Sequence, residues 1–213
     1  MTPSTLVNPE LAAIQVHGIT RSSFILRGAL TAGTVFGMSA VSPFVGQALA
    51  QGGGGDVAVL NFALTLEYLE AAFYEQGVDR VGGQLDGETL DLAKELRDNE
   101  KEHVDALKAT IKKLRGTPVD KPKVDFGNAF SSRDAFLKLA NTFEDTGVSA
   151  YNGAAPRIRN KDVLAAAGTI VQVEARHAAL IRLARGKPPS PLAFDTPSKM
   201  RDVLAAVKPF IKG

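Results

Sequence analysis

In the stretch RDNEKEHVDAL, residues 97–107, a glutamate and a histidine stand where a helix calls for leucine. Leu92, Leu96, Leu107, Ile111 and Leu114 surround Glu100 and His103, and the series 92, 96, 100, 103, 107, 111, 114 advances in steps of three and four. That is the inward stripe of an amphipathic helix. The same Glu-x-x-His recurs in VEARH, as Glu174 and His177, on a stripe with Leu164, Ala167, Val171, Ala178 and Ile181. Residues three apart share a helix face, so each pair delivers an oxygen and a nitrogen inward. A buried carboxylate carries a penalty of several kcal/mol unless it is protonated or paired. A chain with this pattern folds only if its core neutralises those groups.

The helical pattern continues through most of the chain. Asp56 is placed to cap a first helix that runs to about Glu75 or Gln76. A second helix spans about 87–115 and stops at Gly116. Ser131 is the expected cap of a third helix, which reaches Ala154 and ends before Pro156. Asn160 caps a fourth that ends near Arg185, and Thr196 with Pro197 opens a short fifth helix over 196–211. No strand is expected. The segment 116–130 holds two prolines and two glycines and reads as loop. A helix of that length is roughly 40 Å long at about 1.5 Å per residue, and fifteen extended residues reach roughly 50 Å. The loop can therefore cross the bundle lengthwise and bring helix three in parallel to helix two. One long crossover in a four-helix bundle is a ferritin-like topology.

The remaining two long helices carry a matching element. Glu67 lies seven residues before Tyr74, and Glu144 lies seven before Tyr151. Each is followed about thirty residues later by its Glu-x-x-His, so the chain reads as a weak repeat of two helical hairpins. Glu70 shares nearly the same face as Glu67 and is an alternate, and Asp145 is the neighbour of Glu144.

One glutamate from each of two helices and a Glu-x-x-His from each of the other two form the ligand pattern of ferritin-like di-iron and di-manganese carboxylate proteins. The phrases NFALTLEYLEAAFY and EARHAA make residues 56–185 resemble, within that superfamily, the exported ferritin-like domain proteins, some of them desiccation-related. The resemblance implies an all-α ferritin-like four-helix bundle with one crossover from helix 2 to helix 3 and a short C-terminal fifth helix. It implies two iron or manganese ions held by Glu67, Glu100, His103, Glu144, Glu174 and His177. Physical chemistry agrees: four buried carboxylates bring a charge of about −4, which two divalent ions neutralise. Oxygen-rich sites with one imidazole per metal suit iron and manganese, and zinc would also bind. Tyr74 and Tyr151 would sit one helical layer away and donate to the carboxylates.

The expected activity is that of an oxidoreductase reacting with oxygen or peroxide, ferroxidase-like or catalase-like, with an external reductant if it turns over. The alternative is a stress-related structural or binding protein on the same scaffold with little or no catalysis. Iron storage in a cage requires a closed shell of subunits, and the tail helix is a candidate for a homo-oligomer contact.

Composition narrows the rest. The 213 residues include no cysteine, which excludes disulfides, iron–sulfur clusters, zinc–thiolate sites and thiol catalysis. A net charge of +2 suggests no nucleic-acid partner. Residues 1–50 read as an export signal. Arg21 and Arg27 are their only basic residues, 28–50 carry no charge, and Ala48-Leu49-Ala50 is a small-x-small cleavage site. TRSSFILRG resembles a degenerate twin-arginine motif, with Ser22 in place of the second arginine. Cleavage would leave a glycine-rich tether at 51–55 and a domain at 56–213 of net charge +1, outside the cytoplasm. Uncleaved, the uncharged run is long enough to anchor the protein in a membrane.

Overall fold

A computed structural model describes residues 55–212. The expected export signal and most of the tether lie outside the described residues. Four long helices form the bundle: α1 (Asp56–Val81), α2 (Gly87–Lys113), α3 (Arg133–Ala154) and α4 (Lys161–Ala184). A short α5 (Met200–Val207) follows. The predicted four-helix bundle with a fifth short helix is what the chain forms. α1 packs chiefly on α2 and α3 on α4, and the two hairpins meet through α1–α3 and α2–α4.

Several boundaries differ from the sequence reading, each for a local reason. α1 runs past Gln76 to Val81 because Gly77 is a packing residue and not a stop. A Cβ there would lie 2.4 Å from the Phe136 ring, and Val81 beyond it is fully buried. Asp56 does not cap α1. Its carboxylate instead accepts from the backbone N–H groups of Arg159 (2.7 Å) and Asn160 (2.8 Å), tying the α3–α4 turn to the start of α1. Ser132, not Ser131, caps α3 by accepting from the Ala135 N–H. Asn160 caps α4 as expected, accepting from the N–H groups of Asp162 and Val163. The inward stripe of α4 begins at Val163, and Leu164 is 40% exposed.

The last helix is shorter than expected. Ser198 N–H donates to the Ser149 carbonyl, which holds this stretch extended against α3. Pro209 then ends the helix in a 3-10 turn, Lys208–Phe210. Beyond it Ile211–Lys212 pairs antiparallel with Lys123–Val124 of the crossover, a two-residue ladder the sequence did not announce.

The crossover, 114–132, is held along its length. The buried Asn61 amide of α1 donates to the Thr117 carbonyl (3.0 Å) and accepts from the Val119 N–H (2.9 Å). Phe126 and Phe130 pack with Phe73, Phe143 and Phe136 into an aromatic cluster at one end of the bundle. α1 is long and apolar enough to cross a membrane by length and composition alone, but here it is buried among the other helices. It is the central helix of a core.

Candidate metal centre

Each long helix sends one carboxylate to the middle of the bundle. Glu67, Glu100, Glu144 and Glu174 are all 0% exposed, and His177 is 2% exposed. His103 Nδ1 is ringed by three carboxylate oxygens from three helices: Glu174 Oε1 at 3.0 Å, Glu100 Oε2 at 3.1 Å and Glu67 Oε2 at 3.2 Å. His177 Nδ1 lies 2.9 Å from Glu100 Oε1 and 3.5 Å from Glu144 Oε2. The two imidazole rings stand 6.2 Å apart, 29° from parallel. Ligand atoms of Glu67, Glu100, His103 and Glu174 all lie within 4.8 Å of one another, as do those of Glu100, Glu144, Glu174 and His177. Each group of four could hold a metal ion, and Glu100 and Glu174 belong to both.

The tyrosines are placed crosswise. Tyr74 of α1 donates to Glu144 Oε1 of α3, and Tyr151 of α3 donates to Glu67 Oε1 of α1. Each hydroxyl fixes one oxygen of a carboxylate and leaves the other turned inward. Behind His177, the Asn99 amide lies 3.1 Å from Nε2, so Nδ1 is the nitrogen that faces the carboxylates.

Five of the inner atoms lack a hydrogen-bond partner. Glu100 Oε1, Glu144 Oε2, both oxygens of Glu174 and His177 Nδ1 are buried without a hydrogen bond. Glu100 Oε1 and His177 Nδ1 are close but not aligned as donor and acceptor. Buried polar atoms are nearly always satisfied, so a cluster of orphans aimed at common points fits a bound cation. The residues present therefore suit the metal that their chemistry implies.

Burial and mutual contacts shift the ionisable groups of the cluster away from their ordinary ranges. Burial pushes Glu67 up to about 8. Burial and the neighbouring carboxylates raise Glu174 and Glu70 well above the usual carboxylate range, and burial also raises Glu144. Burial pulls His103 down, but contacts with Glu100, Glu174 and Glu67 override it and push it up to about 12. His177 rises to about 10 against the same burial, through Glu100 and Glu144. Glu100 moves the other way: burial opposes it, yet the two histidines and Glu67 bring it down to about 2. Glu100 is thus the one carboxylate of the cluster held below its ordinary range.

All six residues expected at the site share this small volume. Asp145 stands outside it, paired with Arg182 and Asn141. Glu70 is buried at 3% exposure but belongs to neither group of four. It lies beside Gly147, where an added Cβ would meet Glu70 Oε1 at 3.1 Å and Glu174 Oε2 at 3.2 Å. Sequence reasoning missed Asn99 and Gly147. Nothing in the sequence marks Asn99. Gly147 did carry a signal: a glycine in mid-helix, three residues after a candidate ligand, asks for a packing reason.

A comparison with curated proteins finds no match. Residues 55–187, which hold all four long helices and all six of these side chains, match the ferritin-like domain family. By that match and by its fold, the chain belongs to the ferritin-like domain family.

Proposed function

We propose that the centre binds two divalent ions, iron or manganese, and acts as an oxidoreductase on dioxygen or peroxide, ferroxidase-like or catalase-like. One observation carries the reading: fully buried carboxylates from all four helices converge with two imidazoles, and Glu100 Oε1, Glu144 Oε2 and both oxygens of Glu174 have no hydrogen-bond partner. Glu67 with His103 would hold one ion and Glu144 with His177 the other. Glu100 and Glu174, common to both groups, would lie between them. Hard oxygen donors with one imidazole per ion suit iron and manganese. When bound, such ions supply electron exchange with the oxidant and polarise its oxygen atoms.

The chain's own residues prepare that chemistry. Tyr74 and Tyr151 orient Glu144 and Glu67 by single hydrogen bonds. Asn99 holds His177 from behind. Leu96, Leu107 and Ile181 lie on the inner faces of the same helices and keep bulk water away, which strengthens every charge interaction inside. No cysteine is present to build an electron-donating iron–thiolate site, so repeated reduction draws on an external reductant. The uncharged run 28–50 with its small-x-small end supports reading the protein as one that acts outside the cytoplasm.

Elemental analysis of the purified domain, beside a Glu100→Ala/His177→Ala variant, tests the centre. About two irons or manganeses per chain, lost in the variant, are expected. No uptake after anaerobic loading with Fe(II) and Mn(II) would overturn it. A loaded protein inert to both dioxygen and peroxide would overturn the oxidoreductase activity. Fractionation of the producing cells, with N-terminal sequencing, tests export: the expected first residue is Gln51.

A further inference from the structure

Next to the centre lies a cavity of about 110 Å³ that the ligands do not use. All four long helices line it, and alanines create it: Ala63 on α1, Ala106 on α2, Ala150 and Ala154 on α3, Ala166 and Ala167 on α4. Its inner wall comes within about one helical turn of the candidate ligands and meets one of them through Tyr151. Leu66 precedes Glu67, Leu107 follows His103 by four residues, Ile170 precedes Glu174 by four, and Tyr151 donates to Glu67. Four residues are about one helical turn, roughly 5.4 Å. Its outer rim includes Ala106, Ala166 and Thr169, all exposed, between α2 and α4.

The lining offers no free polar group. Only three of its side chains carry a hydroxyl, and each is already engaged. Tyr151 donates to Glu67, Thr110 to the Ala106 carbonyl and Thr169 to the Ala166 carbonyl. Among the described residues, no carboxylate, amine, guanidinium or imidazole lines it. A buried water needs about two to four polar partners, and an apolar cavity of about 150 Å³ is known to stay dry and accept xenon or benzene.

We propose that this cavity is a binding site for a small apolar molecule, that dioxygen is its occupant, and that it leads dioxygen from the α2–α4 surface to the metal centre. The proposal rests on the reading of the centre as an oxidoreductase and narrows its oxidant. Hydrogen peroxide forms hydrogen bonds as water does and would leave them unmade on this path. A hydrated metal ion has no ligand along it and must reach Glu100 and Glu174 by another way. Dioxygen has no hydrogen bonds to lose.

Xenon is the probe, applied to the purified full-length protein. Xenon under pressure should give one saturable site, seen as electron density in a crystal or as amide shift changes at Ala63, Leu107 and Ala167. Ala167→Leu places an isopropyl group in the space and should abolish that site, with Ala63→Val as the second variant should the first fail to fold. In the iron-loaded protein, the ratio of the oxidation rate with dioxygen to that with peroxide should fall by about tenfold or more in the filled variant. Absence of xenon from the wild-type cavity, or an unchanged rate ratio, would overturn the proposal while leaving the metal centre intact. Failure of the wild type to take up iron would instead bring down the metal reading, and the route with it.

Discussion

Tyr151→Phe removes one oxygen atom and keeps the ring. The hydroxyl is the hydrogen-bond partner of Glu67 Oε1, while Glu67 Oε2 faces His103 at 3.2 Å. A hydrogen bond to a charged group contributes about 1.5–3 kcal/mol. At about 1.4 kcal/mol per tenfold, that is a loss of roughly 10–100-fold in affinity, the range also found for partners of metal ligands. The effect should fall on the ion held by Glu67 and His103. Tyr74→Phe, which frees Glu144 Oε1, should weaken the other ion by the same amount. A competitive chelator titration with Mn(II) separates the two: each variant should weaken one step and spare the other. The metal-free form should also lose about 1–3 kcal/mol because a buried carboxylate oxygen is left without its donor, or about 2–4 °C of Tm per kcal/mol at this size. An unchanged titration in both variants would refute the claim that the hydroxyls hold the carboxylates in place.

Metal removal should be larger in effect. Metal at about 1,000 times its Kd adds about 4 kcal/mol, so chelation should lower Tm by about 8–16 °C; calorimetry showing no shift would remove metal from the energetics of this core. The metal-free protein should lose stability as pH rises. Glu67 is raised from 4.5 to about 8, His177 and His103 from 6.5 to about 10 and 12, so the folded chain holds more protons than the unfolded one. Their stabilisation is complete below the unfolded values and fades as pH climbs through 8 to 12. Glu100, lowered to about 2, acts oppositely and fades only as pH falls from 4.5 toward 2. Urea midpoints of the metal-free form should therefore be higher at pH 5 than at pH 9, and metal affinity should rise over the same interval because protons must leave; equal midpoints would contradict the assignment. Gly153→Ala would place Cβ 1.8 Å from the Ser198 carbonyl oxygen, which forces the strap before α5 off α3. A loss of about 1–3 kcal/mol and faster proteolysis between 186 and 199 are expected, and an unaltered Tm would show that the strap is not docked there.

The bundle and its centre were legible because they rest on periodicity. Glu100, His103, Glu174 and His177 interrupt apolar stripes, and an interruption at fixed spacing states both where a side chain points and what it must meet. What stayed hidden depends on contacts between segments far apart in the chain. Asp56 looks like a helix cap, but its carboxylate bonds Arg159 and Asn160, a hundred residues away. Gly77 looks like a helix stop, and only the Phe136 ring packed on it explains why the helix continues. The pairing of Lys123–Val124 with Ile211–Lys212 is two residues long, too short to leave an alternating pattern. Cavities are hidden for the same reason: six alanines on four helices are unremarkable one at a time and leave a space only where the helices meet.

The two hairpins repeat one another in pattern but not in charge. Glu67 and Glu144 occupy equivalent places, each with its tyrosine seven residues on, yet three residues along α1 carries Glu70 and α3 carries Gly147. Glycine in a helix interior is about 1 kcal/mol less favourable than alanine. The chain keeps it where a Cβ would stand 3.1 Å from Glu70 Oε1 and 3.2 Å from Glu174 Oε2. The missing side chain on α3 leaves room for the extra carboxylate of α1 beside it. A fifth buried acid therefore borders the same glycine as Glu174 Oε2, while Glu174 Oε1 faces His103. Burial, and after it the neighbouring Glu174, raise Glu70 well above the usual carboxylate range. The two groups of four share a ligand pattern, and this acid makes their surroundings unequal.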